Sequence, residues 1–411
     1  MISDSKLQEL SKGDARADDI TDLLDVNDLV YELPKNLSLA SARNTKEYHF
    51  QKSEYTNGDG SMICTLQTGG QYVNWAASHL KFNLTRTAGG TSDWGKGSAV
   101  NIIREVIITS RSGQEVARLD RLNVYRLHHD RLYMSTEELK SIGSLMGYDE
   151  AAVATATQST YIIPMCKICT LFDNKKLMPN WLASGLRIEL RLESPATAFD
   201  AAGGQAVTSY VINDPKIIVD TFLLNDSAMK KLNEISARNA LEYVYKSVHC
   251  ITDSFSTQQN TVDVNKAVSR ALGAMAVSRR TANVALADVD SLKSEGFDFA
   301  HTQFRLGSQY YPQQPLKGLE EHYWNTLYTC EKLKSHHPSS VSKSDYSDDF
   351  GVATANLEKS NVLDLSGQPI NNSMTLSCEL SYDNAHSRRV CVFLEYVQIC
   401  KVFITNLSVI V

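Results

Sequence analysis

A chain of 411 residues exceeds one ordinary hydrophobic core and suits two or three domains. With 43% hydrophobic and 21% charged residues, and only 21 glycines and 9 prolines, it is neither disordered nor fibrous. A net charge of −6 with dispersed basic residues argues against a protein whose main task is to grip nucleic acid through its phosphates.

Residues 1–46 stand apart from the rest. "SDSKLQEL" and "DDITDLLDVNDLVYEL" space their apolar residues at three and four, the pattern of short acidic amphipathic helices, until Pro34 stops it. The segment reads as an N-terminal arm. It lacks the basic start and apolar centre of a secretory signal, so sequons such as Asn83-Leu84-Thr85 are expected to carry no glycan. No transmembrane segment is expected: the most apolar run, "VFITNLSVIV", is about half of the roughly 20 residues a spanning helix needs.

From Lys46 the period changes to two. "HLKFNLT" puts Leu80, Phe82 and Leu84 on one face and Lys81 and Asn83 on the other. "NIIREVIITSRSGQEVARL" predicts a hairpin, and "GLRIELRLES" a strand with Leu186, Ile188, Leu190 and Leu192 inward. "YIIPMCKICTLF" also reads as a strand throughout. Later come "DPKIIVDTFLL", "NALEYVYKSVH", "NTVDVNKAV", "SMTLSCELSY", "RVCVFLEYVQIC" and "KVFITNLSVIV", rich in β-branched and aromatic residues. Helical spacing is confined to connectors at 135–147, 226–239 and 319–329. Long loops are expected at 135–160, 253–300 and 331–358. Strands in both halves with helices only in excursions predict two β-sandwiches, 47–205 and 206–411, divided in the Ala-, Gly- and Thr-rich stretch 194–215.

No motif for catalysis survives inspection. "GGTSDWGKGS" has Gly90, Gly95 and Lys96 of a phosphate loop, but Gly97 replaces the required hydroxyl and a strand follows where a helix is needed. A tight loop with Trp94 packed down is the expectation. "CKIC" (Cys166, Cys169) lacks a second pair for zinc, and its cysteines would face opposite sides of a strand. The pairs His128-His129 and His336-His337, read as extended surface segments, cannot chelate one ion together. The chain is therefore expected not to be an enzyme, with no catalytic residue, no metal and no cofactor. The 8 cysteines sit mostly in apolar strands such as those holding Cys64, Cys378, Cys391 and Cys400, which suits a chain made in a reducing compartment.

Four stretches together resemble the double jelly-roll major capsid proteins of small double-stranded DNA viruses, of polinton-like virus and virophage type in the adenovirus hexon-like lineage. They are "DWGKGSAVNIIREVIITSRSGQEVARLDRLN" with Trp94, Gly97 and Ser98, and "YIIPMCKICTLFDNKKLMPNWLASGLRIELRLE" with Leu177, Pro179, Leu182 and Gly185. The third is "QFRLGSQYYPQQPLKGLEE" with Gly307, Ser308 and Pro312. The fourth runs from "NLEKSNVLDLSGQPINNSMTLSCELSY", with Gly367, to the C-terminal strands. The likeness covers residues 47–411 in order.

The resemblance implies an all-β fold of two consecutive eight-stranded jelly rolls, with short helices in the connections. It further implies a structural protein that forms pseudo-hexameric homotrimers tiling an icosahedral virion shell around double-stranded DNA, without sequence-specific binding. Its partners would be further copies of itself, neighbouring capsomers, and penton and minor capsid proteins. The virion would be its destination and the host's reducing cytoplasm its place of synthesis. Tyr310, Tyr311 and Trp324 are the candidate trimer contacts, since aromatics are enriched at interface cores. The alternatives are a two-domain carbohydrate-binding or glycan-processing protein, and a minor or penton capsid protein.

Overall fold

The computed structural model describes residues 40–174, 176–200, 206–238, 241–284, 292–294, 296–333, 335–359, 367–371, 374–402 and 407–410. The helices expected before Pro34 lie outside them. In chain order the first sandwich uses β1 (Ala40–His49), β2 (Glu54–Thr56), β3 (Ser61–Thr65), β4 (Tyr72–Ala88), β5 (Thr91–Ser92) and β6 (Ile103–Thr109). It continues with β7 (Glu115–Asp120), β8 (Val153–Ala154), β9 (Gln158–Pro164), β10 (Arg187–Leu192) and β11 (Val207–Leu224). One sheet has the order β1-β11-β4-β9, with β2 added on β11, and the facing sheet has the order β3-β10-β6-β7. The short ribbon β5-β8 lies apart.

Alternation is the cause of this layering. Leu80, Phe82 and Leu84 of β4 and Ile188, Leu190 and Leu192 of β10 are buried, while the residues between them reach solvent at least in part. Each such side chain stabilises the sandwich by about 1.5–3 kcal/mol relative to exposure. The hairpin β6–β7 forms as the sequence predicts, with Ile107 opposite Arg118 and Gly113 at φ +82 in its turn.

The second sandwich uses β12 (Leu241–Phe255), β13 (Gln259–Val264), β14 (Val268–Arg280), β15 (Phe299–Leu306) and β16 (Gln309–Lys317). Then come β17 (Val352–Asn356), β18 (Gln368–Ile370), β19 (Leu376–Tyr382), β20 (Arg388–Val402) and β21 (Leu407–Ile410). Its sheets run β12-β20-β14-β17, with β18 on β14 and β21 on β20, and β13-β19-β15-β16. Each sandwich is thus built on two four-strand paths, the eight strands expected. The chain's helices include α1 (Leu122–Tyr133), α2 (Asp226–Arg238), α3 (Gly318–Thr329) and α4 (Lys343–Asp348).

Several expectations are corrected. Residues 40–46, assigned to the arm, are strand: the Arg43 guanidinium meets Asp220 of β11 at 2.9 Å, and the Thr221 hydroxyl donates to the Asn44 carbonyl. The boundary at 205/206 falls one strand early. β11 hydrogen-bonds β4 from Val207 to Phe222 and buries Tyr210, Ile212, Ile217 and Val219 in the first core. The helix α2 then lies between the last strand of the first sandwich and the first strand of the second. "YIIPMCKICTLF" is not one strand: β9 ends at Pro164, whose φ of −55° leads into a helical turn Met165–Ile168. The expected loop 253–300 holds β13, β14 and the end of β12, and 331–358 holds α4 and β17.

Gly367 precedes β18 where a Cβ would stand 2.4 Å from the Ala271 carbonyl oxygen, so two backbones meet there at a distance only glycine permits. Gly367→Ala is expected to destabilise the fold by about 1–3 kcal/mol in a thermal melt. Gly90→Ala, where a Cβ meets nothing within 4 Å, should stay within about 0.5 kcal/mol of the parent.

Candidate assembly surface

The seam between the sandwiches is built on α1, which sequence periodicity did not reveal. Its buried residues include Asn123, Arg126, His128, Asp130 and Arg131, so no purely apolar stripe marks it. Its N-cap is Arg121, at φ +56 and without a side-chain cap, so no capping signal marks it either. The histidine pair expected on an extended surface segment is helical instead: His128 is fully buried and His129 stacks on Tyr133 at 4.1 Å.

Most of the polar groups that α1 buries have partners, though the Arg126 Nε has no hydrogen bond. The Tyr125 hydroxyl donates to Glu395 of β20 at 2.9 Å, and its ring lies 5.3 Å from Phe393. Asp130 accepts from the Lys167 ammonium at 2.8 Å, with Arg126 at 3.6 Å. Burial alone would raise the Asp130 carboxyl, but Lys167, His129 and Arg126 outweigh it and hold the group well below its ordinary range. His128 Nε2 accepts from the Ser294 backbone N–H at 3.2 Å, so its Nδ1 carries the proton donated to the Val124 carbonyl at 3.0 Å. Burial pushes this ring down to about 4, with the Arg279 charge adding to the effect. The seam is completed by the hydroxyl of Tyr245 donating to the Val116 carbonyl at 2.6 Å and by Ser340, whose hydroxyl donates to the Arg131 carbonyl at 2.8 Å.

The residues singled out from sequence serve as corners of the fold. Trp94 is buried, stacked on Phe199 at 4.6 Å and covered by the Arg86 guanidinium at 4.5 Å. That guanidinium also reaches Glu150 at 2.8 Å and the Tyr161 hydroxyl. The Ser98 hydroxyl caps the short helix Ala99–Ile102, and a Cβ on Gly97 would collide with the Asn101 side chain. Pro179 precedes the turn Asn180–Ala183, and Gly185 sits at φ +86 with its N–H on the Leu66 carbonyl. Leu177 is partly exposed. Cys166 and Cys169 lie three apart on a turn rather than on opposite strand faces, with Cys169 buried. Among the described residues, no group of three His, Cys, Asp or Glu side chains could hold a metal ion.

Gly307 and Ser308 form the two-residue loop of the hairpin β15–β16, Gly307 at φ +60. β16 is an edge strand carrying Pro312, after a cis bond, and Pro315. The Gln303 amide donates to the carbonyls of Pro312 and Gln313 across a break in the ladder. Tyr310 and Tyr311 point to opposite faces: Tyr310 is 39% exposed, while Tyr311 packs against the second core. On α3, His322 and Thr326 face inward and Trp324 and Tyr328 face outward, Trp324 with 63% of its surface free. Trp324 lines an open groove with Pro312, Pro315, Leu316 and Asn325. Tyr310 lines a different depression, with Arg305, Gly307, Ser308 and Met374.

Two antiparallel sandwiches whose strand orders repeat, each with a helix after the edge hairpin of one sheet, define a double jelly roll. No protein-family description and no curated protein matches the sequence, whereas solved structures do match the fold. A chain of the PBCV-1 virus capsid is 11% identical with a TM-score of 0.64, over 92% of this chain and 98% of that one. The Faustovirus major capsid protein is 7% identical with a TM-score of 0.63, over 95% and 94%. A chain of the Sputnik virophage is 9% identical with a TM-score of 0.61, over 92% and 90%. The likeness is one of fold, shared across both sandwiches.

His128 makes the seam acid-sensitive. Its pKa falls from 6.5 to about 4 on folding, so the unfolded chain binds more protons between those values. Its contribution is complete above pH 6.5 and is lost as pH falls through 4. Urea unfolding should show about 2 kcal/mol less stability at pH 5 than near neutrality from this group alone. His128→Gln should flatten that part of the profile.

Proposed function

We propose that this chain is a structural major capsid protein, forming pseudo-hexameric homotrimers that tile an icosahedral shell around a double-stranded DNA genome. The observation that carries the reading is the repetition of two jelly rolls in one compact unit, Ala42–Val411, in the fold of viral capsid chains. A shell protein must present rigid walls and few free strand edges, and paired sandwiches supply both. The work is assembly rather than catalysis.

The repetition also supports a particular contact. The hairpin β6–β7 edges its sheet and leads into α1; the hairpin β15–β16 edges the corresponding sheet and leads into α3. In the first sandwich that helix is covered by the second sandwich of the same chain, through Tyr125 and Glu395. In the second, Trp324 on α3 is 63% exposed. Three copies related by rotation would let the first sandwich of each neighbour cover α3, closing a ring of six similar domains. Penton and minor capsid proteins would then adjoin the outer edges of such trimers. Residence in the virion follows from the same reading, as does synthesis in a reducing cytoplasm from the unpaired thiols.

Electron microscopy of the purified protein should show flat pseudo-hexagonal particles about 70–80 Å across, on the scale of six domains of roughly 25–30 Å. Trp324→Ala, alone and with Tyr310→Ala, should shift native mass spectra from trimer to monomer and weaken assembly at least tenfold. The monomer's melting temperature should hold, because neither ring belongs to a buried core. Unchanged assembly in the double variant would remove α3 from the contact; a parent protein that stays monomeric at all concentrations would overturn the capsomer reading.

A further inference from the structure

Two thiols of the second sandwich are placed for chemistry that the assembly reading does not use. In the β12–β20 ladder Thr252 stands opposite Cys391, and Cys250 opposite Phe393, so Cys250, Thr252 and Cys391 share one face with the two cysteines on a diagonal. Both sulfurs lie against the same hydroxyl, Thr252 Oγ1, at 3.9 Å and 3.8 Å. The buried guanidinium of Arg279, on β14, donates to Cys391 Sγ at 3.3 Å. Arg279 itself stands opposite Arg389, and Arg280 opposite Arg388. The Cys250 thiol and Arg279 together draw the Cys391 sulfur toward the thiolate. Burial instead pushes Cys64, Cys330 and Cys378 up. Cys391 is buried, whereas Cys250 beside it reaches solvent.

We propose that Cys250 and Cys391 are a reversible oxidation site, in which a hydroperoxide converts the two thiols to a disulfide bridging β12 and β20, with Arg279 positioning Cys391 as the nucleophile. The Cys391 thiolate attacks the terminal oxygen of the hydroperoxide and the O–O bond breaks. This leaves a sulfenic acid on Cys391 and an alkoxide or hydroxide that takes up a proton. The Cys250 sulfur then attacks the Cys391 sulfur, the S–O bond breaks, and water leaves with the Cys250 proton. One hydroperoxide is reduced and two thiols are oxidised. Cys391 and Phe393 belong to the core continuous with the first sandwich, so the bridge would tie two strands beside the seam.

The full-length protein, treated with hydrogen peroxide near neutral pH, is alkylated while denaturing and mapped without reduction by mass spectrometry. A linked peptide pair joining Cys250 to Cys391, released by dithiothreitol, is expected. In Cys250→Ser, dimedone should capture a sulfenic acid on Cys391, and in Arg279→Gln formation of the link should slow at least tenfold. Recovery of both thiols in alkylated form while other cysteines oxidise would overturn the proposal. So would a dimedone adduct confined to another cysteine, or Cys391 passing to sulfinic acid in the parent with no link. The parent's peptide map decides the matter without either variant.

Discussion

Burial of the β12-β20-β14-β17 sheet on both faces is the constraint on which the rest of the molecule depends. Val390, Val392, Leu394 and Tyr396 of β20 line the core of the second sandwich, while Cys391, Phe393, Cys400 and Val402 join the core that continues into the first. A strand covered on both faces must be apolar almost without interruption, and "VCVFLEYV" meets that demand. Its backbone needs are met by β12 in an unbroken register from Leu241 to Phe255. Because the sheet serves two cores at once, the sandwiches cannot be separated without exposing one of its faces. That is why Ala42–Val411 behaves as one unit.

A shared core leaves little water to satisfy polar groups at the seam, so most come with their own partners. Asp130 is held by Lys167 and Arg126, the Tyr125 and Tyr245 hydroxyls by Glu395 and a carbonyl, and His128 by one donor and one acceptor. Such pairs add little net stability over apolar packing, but losing one member costs about 3–5 kcal/mol. Their physical effect is to admit one docking of the sandwiches and to penalise others. Arg86, closed over Trp94 and bonded to Glu150, does the same within the first sandwich.

The opposite demand applies at the periphery. β16 leaves one side of its ladder open, and Pro312 and Pro315 remove donors from it, which discourages pairing with a stray strand. Recognition is then left to side chains on the adjoining α3, where Trp324 and Tyr328 face outward. In the proposed shell the chain would meet its copies through shaped apolar surfaces rather than sheet extension, which suits a closed ring better than an open fibre.

The strands of both sandwiches, the hairpin β6–β7, the Gly307 turn and the packed Trp94 were legible because each rests on local physics: period-two alternation, turn residues and propensity. The sequence could also show that the familiar catalytic motifs are missing, since those depend on residue type and spacing. It could not show α1, whose buried residues mix polar with apolar and whose partners come from distant segments such as Lys167, Ser294 and Glu395. Nor could it show that β11 returns to the first sandwich, because strand pairing is chosen by the partner's register rather than by the strand's own pattern. It also hid the meeting of Cys250, Cys391 and Arg279, which lie on three strands. Alternation by itself determined that this chain folds into β-sandwiches. Only the tertiary structure decided which surfaces those sandwiches share and which they leave open, because burial of a second face is a property of the neighbour and not of the strand.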